Sequence, residues 1–290
     1  MPTLRQINRR IKSIQSTAKT TRAMSLVAGS KMRRAQQLAL AHRPYADHLH
    51  QLLGDVVHSL EAMAVEAERE LHPLLARREN KNPLVIVLTS DRGQVGGMNT
   101  NLIRIAGNYL VQHPTAQLIT VGRKGYDFYR RTNTTIAGHF LRLGDYPTFD
   151  DVRPISVMAA NAFINGDVDS VNLVYPRFIN TVVQRPELQE LLPATPPEDD
   201  DDLTDEYIFE PDAQTVLEEL LPRYVEIQVY RAVLELAASE QSARMVAMRN
   251  ATDAALEMVQ NLTLLRNKVR QEQITKELLD ITGGVEAMKN

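Results

Sequence analysis

The sequence predicts an α/β protein in which two long helices, one at each end of the chain, flank an α/β domain, and three observations predict it. Residues 4 to 63 carry a heptad seam, residues 223 to 282 contain neither Gly nor Pro, and between them short β-rich runs alternate with helical stretches. Two long periodic segments bury their apolar stripes most simply by pairing as an antiparallel coiled coil. Strands that alternate with helices indicate a largely parallel sheet, inserted here between the two long helices.

The first helix is read from steps of three and four. Leu4, Ile7, Ile11 and Ile14 open the seam, Ala18, Thr21, Ser25 and Ala28 follow, and Met32, Ala35, Ala39, His42, Ala46, Leu49, Leu53, Val56, Leu60 and Met63 continue it. Thr3 is the expected N-cap, and Pro44 is expected to kink the helix without changing its register. The small residues from Ala18 to Ala28 allow close backbone approach but bury little area per turn.

At the other end, sixty residues of helix would span about 90 Å, far more than an ordinary globular helix, so this helix is expected to project. Its seam is read through Val229, Val233, Leu236, Ala243, Ala247, Ala254, Met258, Leu262, Leu265, Val269, Ile274, Leu278 and Ile281, with "GG" at 283 and 284 weakening its end. The domain reading is residues 1–65 for the first coiled-coil helix, 80–195 for the α/β domain with an acidic loop at 193–206, and 207–290 for the second. Two helices packed onto a globular body are the plainer alternative.

Within the insertion, "PLVIVLTS" (83–90), "AQLITVG" (116–122), "TTIAGHFLRL" and "VDSVNLVYPRF" read as strands, and "FINTVVQR" as a strand that pairs with the last. Residues 100–112, "GYDFYRR" and 152–166 read as helices. "PATPPEDDDDLTDEY" (193–207) reads as a solvated loop, because its acids lack the spaced ligands and turn glycine of an EF-hand.

Composition removes several functions. With no Cys, disulfides, thiolate metal sites and cysteine nucleophiles are excluded, and a reduced compartment is expected. No apolar run approaches the roughly 20 residues of a membrane-spanning helix. Residues 1–46 hold ten Lys and Arg and no Asp or Glu, whereas the chain as a whole has a net charge of −3. A basic start of this kind suits a nucleic-acid patch, a targeting peptide or a helix that meets an acidic partner. The unbroken seam argues against a cleaved peptide, and salt-sensitive nucleic-acid binding would mark the first reading.

The stretch "SDRGQVGGMNTN" (90–101) follows the first strand and precedes a helix, which is the context of a phosphate cradle. Its spacing is that of neither known glycine motif: no Lys follows Gly96 and Gly97, and Gly93, Gly96 and Gly97 do not give Gly-x-Gly-x-x-Gly. The seven His residues form no metal motif, and no nucleophile elbow is present. An interaction protein is the best class, with a nucleotide-binding α/β enzyme carrying helical arms as the alternative.

Three segments then carry a resemblance: "LRQINRRIKSIQSTAKTTRAMSLVAGSKMRRAQ", "TSDRGQVGGMNTNL", and "YIFEPD" with "LAASEQSARMVAMRNATDAA" and "NKVRQEQITKELLDITGG". Together they resemble the gamma subunit of the F-type rotary ATP synthase, nearly end to end. Gln94 and Val95 stand where that family commonly has Leu-Cys.

The resemblance implies a non-catalytic central stalk: paired helices inside a hexamer of alpha and beta subunits, and a Rossmann-like α/β domain against the epsilon subunit and the membrane c-ring. It implies one copy per complex, no cofactor on this chain, and ATP or ADP with Mg on partner subunits. Met24, Lys31, Arg34, Arg270, Gln271 and Thr275 take the positions facing the beta subunits' acidic catch loop. Tyr207 and Glu210 take positions facing the rotor ring or epsilon. A peripheral place on the cytoplasmic side of a bacterial inner membrane is the expected location.

Overall fold

A computed structural model describes residues 3–64, 72–196 and 209–287. The chain forms two compact units, one from residues 1–28 with 245–290 and one from 29–244, so the boundaries cut through both long helices.

Helix α1 is Leu4–Ala64 and α5 is Ala213–Ala287. Thr3 caps α1 in a reciprocal pair: its Oγ1 accepts from the Gln6 amide at 3.3 Å, and Gln6 Oε1 accepts from the Thr3 amide at 3.0 Å. The predicted seam is inside at Ile7, Ile11, Ala18, Ala28, Met32, Ala35, Ala39, Ala46, Leu49, Leu53 and Val56. His42 departs from it: exposed, it lies with its ring 5.3 Å from that of Tyr230. Pro44 lies inside α1, which continues through it from Leu4 to Ala64.

The second helix differs from expectation at three places. It starts at Ala213, so Pro222 lies within it. A proline there removes one backbone bond, but Leu217, Leu221 and Val225 around it are fully buried, and their burial outweighs the loss. Gly283 and Gly284 lie within the helix. The seam also runs through Met248, Thr252 and Ala255, which are buried, while Ala254 and Met258 are exposed. Counting apolar residues alone slips off register because a threonine occupies a seam position.

In the first unit the two helices run antiparallel. Ile7 and Ile11 pack with Val269, joined by Leu4, Val259 and Leu262. Further along, the Thr21 and Thr252 hydroxyls lie 2.7 Å apart and Ser25 Oγ donates to the Met245 carbonyl at 3.2 Å.

The second unit holds β1 (Pro83–Leu88), α2 (Met98–Gln112), β2 (Gln117–Val121), α3 (Arg123–Tyr129), β3 (Thr135–Phe140), α4 (Phe149–Ile164), β4 (Ser170–Phe178) and β5 (Gln184–Leu192). The sheet order is β3-β2-β1-β4-β5, with the first four strands parallel and β5 antiparallel to β4. β1 is buried along its whole length, which is why it reads as an uninterrupted apolar run. Leu53 and Val56 of α1 and Leu217, Leu221 and Val225 of α5 share one core with the sheet residues Val85, Leu88 and Leu173.

The last strand lies further along the chain than its apolar signal at 178–185 predicts. Residues 179–183 form the β4–β5 turn: the Asn180 side chain accepts from the amides of Val182 and Val183 at 2.9 and 2.8 Å. The strand itself begins at Gln184 and contains Pro186, which an edge strand tolerates.

Candidate functional site

The glycine turn after β1 is closed by its own polar groups. Ser90 donates its amide to Asn99 Oδ1 at 3.1 Å, and Asn99 Nδ2 donates to Ser90 Oγ at 2.8 Å, which ties the turn to the start of α2. Asp91 accepts from the backbone amides of Arg123 and Arg142, both at 3.0 Å. An internal carboxylate therefore occupies amide donors of the kind a phosphate would use, and its charge opposes entry of another anion. Gln94 and Gly96 supply the positive φ angles of 67° and 56° that the turn requires.

Gly122 is fixed by a close approach between strand ends. A Cβ there would fall 1.9 Å from the Thr89 carbonyl oxygen, and its φ is +85°. Thr89 Oγ1 donates to the Val121 carbonyl and accepts from the Gly125 amide, both at 2.9 Å.

Beside the turn lies a polar cleft of about 540 Å³, lined by Arg92, Arg123, Arg130, Arg142, Asp127 and Glu240 among others. Asp127 lies 3.6 Å from both Arg123 and Arg130, and Glu240 lies 2.5 Å from Arg244. Burial raises the pKa of Glu240, and the hydrogen bond and charge of Arg244 oppose that rise. Arg244 also donates to the Gly93 carbonyl at 3.4 Å, so the glycine turn is bonded to α5. Among the described residues no group of three or more His, Asp and Glu could hold a metal ion.

The residues assigned by resemblance fall into three sets. Met24 is 37% exposed on α1, and Arg270, Gln271 and Thr275 are exposed on α5. Lys31 and Arg34 are engaged within the chain: Lys31 Nζ lies 2.6 Å from Asp145 Oδ2, and the Arg34 guanidinium sits 4.4 Å from the Tyr146 ring centre. Glu210 is exposed just ahead of α5, and Tyr207 lies outside the described residues.

Sequence reasoning missed the polar face of α5. Glu235, Ser239, Gln241 and Ser242 are all buried. Glu235 accepts from the Phe178 amide at 3.2 Å, Ser239 donates to the Pro176 carbonyl at 3.0 Å, and Ser242 donates to the Thr181 carbonyl at 2.5 Å. The run "LELAASEQSARM" carried the signal, since polar residues there recur on one helical face.

Comparison with known proteins bears on what such a chain is. A family model described as ATP synthase matches residues 3–288. An ATP synthase gamma chain of Dehalococcoides mccartyi is 47% identical over 99% of this chain and all of its own length. That of Pelotomaculum thermopropionicum is 46% identical over the full length of both chains. The chain belongs to the ATP synthase gamma-chain family.

The fold agrees. A chain of the central stalk and c-ring structure of the Tetrahymena thermophila mitochondrial ATP synthase is similar with a TM-score of 0.62 and 25% identity, over 80% of this chain and 99% of that one. A chain of the Euglena gracilis mitochondrial enzyme shares the fold with a TM-score of 0.56 at 20% identity, over 90% and 95%. As a member of the gamma family this chain is a non-catalytic subunit of ATP synthase, in its central stalk. No helix among the described residues is long and apolar enough to cross a membrane.

Proposed function

We propose that this chain is the shaft through which ion flow drives, or is driven by, ATP turnover in a hexamer of alpha and beta subunits. The observation that carries the reading is the end of α5. Beyond Val269 every described position through Thr282 is exposed, including Ile274, Leu278, Leu279 and Ile281 at 46%, 58%, 65% and 63%. A long helix whose apolar side chains have no cover among the described residues calls for an enclosing partner.

In this reading the c-ring turns the α/β body, one copy of the chain serves each complex, and the helix pair biases three catalytic sites in sequence through contacts that differ between their states. ATP, ADP and Mg are bound by the partner subunits, and this chain binds no cofactor. Met24, Arg270, Gln271 and Thr275 face the beta subunits' catch loop, while Lys31 and Arg34 serve the chain's own body. Tyr207 and Glu210 face the rotor ring or epsilon. In this reading the chain is peripheral, on the cytoplasmic side of a bacterial inner membrane.

The test is single-molecule rotation in a complex reconstituted from alpha, beta and this chain, with a bead on the α/β body. One-directional turning that requires ATP is the expected result. Assembly without turning, or failure to join a hydrolysing hexamer, would overturn the reading.

A further inference from the structure

Asp145 lies in the segment after β3, next to Gly144, whose φ is +84°. Its two carboxylate oxygens bond to two different long helices. Oδ2 accepts from Lys31 Nζ of α1 at 2.6 Å, and Oδ1 accepts from Gln241 Nε2 of α5 at 2.9 Å. Gln241 is 3% exposed, so this arm of the arrangement is shielded from water. The neighbouring residue strengthens the attachment to α1, since the Tyr146 ring lies under the Arg34 guanidinium.

We infer that Asp145 is a coupling clamp, a positioning residue that holds α1 and α5 in one rotational register against the α/β body so that torque passes into both helices together. Apolar packing and hydrogen bonding resist rotation of a helix in different ways. Apolar attraction has no preferred angle, so rolling of a helix there is resisted only by the collision and lost burial of its interlocked side chains. A hydrogen bond weakens steeply once its angle falls below about 120°, and bonds to an ionised carboxylate are about twice as strong as neutral ones.

One carboxylate shared by both helices resists rolling of either, and it resists their sliding past each other. The bonds from Ser239, Ser242 and Arg244 attach α5 to the body but do not reach α1. Asp145 adds the second helix. The inference rests on the rotary reading above, and it assigns a mechanical role to a residue that touches no nucleotide.

The experiment measures torsional stiffness in the reconstituted complex. The chain has no Cys, so Val111→Cys, at an 81% exposed position of α2, gives a single attachment point for a bead. Angular fluctuation of the bead is recorded while the complex is paused, and ATP hydrolysis is measured without the bead. For Asp145→Ala the angular variance is expected to rise at least about two-fold while hydrolysis stays within about two-fold of the parent, because directional, charge-assisted bonds are lost and the apolar core is kept. Asp145→Glu should recover most of the stiffness.

Lys31→Met and Gln241→Leu each remove one arm and should soften the complex by less than Asp145→Ala does. If Asp145→Ala does not assemble, these two variants decide the matter: softening in both supports the clamp, and unchanged stiffness in both overturns it. A parent chain that turns with a variance equal to that of Asp145→Ala overturns the clamp alone. A parent chain that does not turn overturns the rotary reading, and the clamp with it.

Discussion

The same two helices are held together in two different ways. In the second unit, Leu53 and Val56 of α1 and Leu217, Leu221 and Val225 of α5 are fully buried in a core shared with the sheet. In the first unit the buried apolar cluster is Ile7, Ile11 and Val269, and the intervening seam is Ala18, Ala28 and the hydroxyl pair of Thr21 and Thr252. One region is held by area and the other by close fit and a few polar bonds. Local opening should therefore be easier in the first unit than in the second, although both are long helices in sequence.

The largest loss of stability is expected in the second unit. Leu53→Ala empties a fully buried site, and unfolding by denaturant should show a loss of about 3 kcal/mol. Ile11→Ala acts on a cluster with fewer neighbours and should cost about 2 kcal/mol. Hydrogen exchange locates this loss: amides of residues 3–28 and 245–287 should exchange faster, while those of the sheet strands keep their rates. Faster exchange in β1 and β4 after Ile11→Ala would show that the two regions open as one.

A smaller effect is expected at the hydroxyl pair. Thr252→Val alone should cost about 1 kcal/mol, because Thr21 loses its bond to the facing helix and keeps only the Ala18 carbonyl of its own helix, at 3.2 Å. Adding Thr21→Val should cost less than a second such loss, since both polar groups are then gone. Strict additivity in thermal unfolding would show that the two hydroxyls act independently.

The smallest effect concerns pH. His50 stacks on Tyr224 with ring centres 5.6 Å apart, and its Nδ1 is buried without a hydrogen-bond partner among the described residues. Burial lowers its pKa below 6.5, with Asp47 opposing and Arg231 assisting. The unfolded chain therefore takes up the proton first as pH falls. The contribution to stability is complete above 6.5 and is lost as pH drops through that value toward the folded one. His50→Phe should flatten this part of the stability profile, and an unchanged profile would assign the acid sensitivity to other groups.

Much of this fold was legible because its signals are periodic. Thr3 as a cap, the α1 seam and the buried run of β1 follow from spacing and residue type. The start of α5 was not legible, because Pro222 is a local stop signal that only the surrounding core overrides. The strand at Gln184–Leu192 was hidden by its polar alternation, and Val182 and Val183, β-rich in type, turned out to belong to a turn set by Asn180. The site divided in the same way. Resemblance names Met24, Arg270, Gln271 and Thr275, which the fold leaves exposed, whereas nothing local in the sequence marks Asp145, whose two partners come from distant parts of the chain.

The antiparallel pairing of the chain ends also fixes an order of events during synthesis. Thr21 and Thr252 are 231 residues apart in sequence. At about 5–20 residues per second the ribosome needs on the order of ten to fifty seconds to deliver the partner of the first helix. For that interval Ile7 and Ile11 have no Val269 to cover them. The helix made first is among the last to find its place.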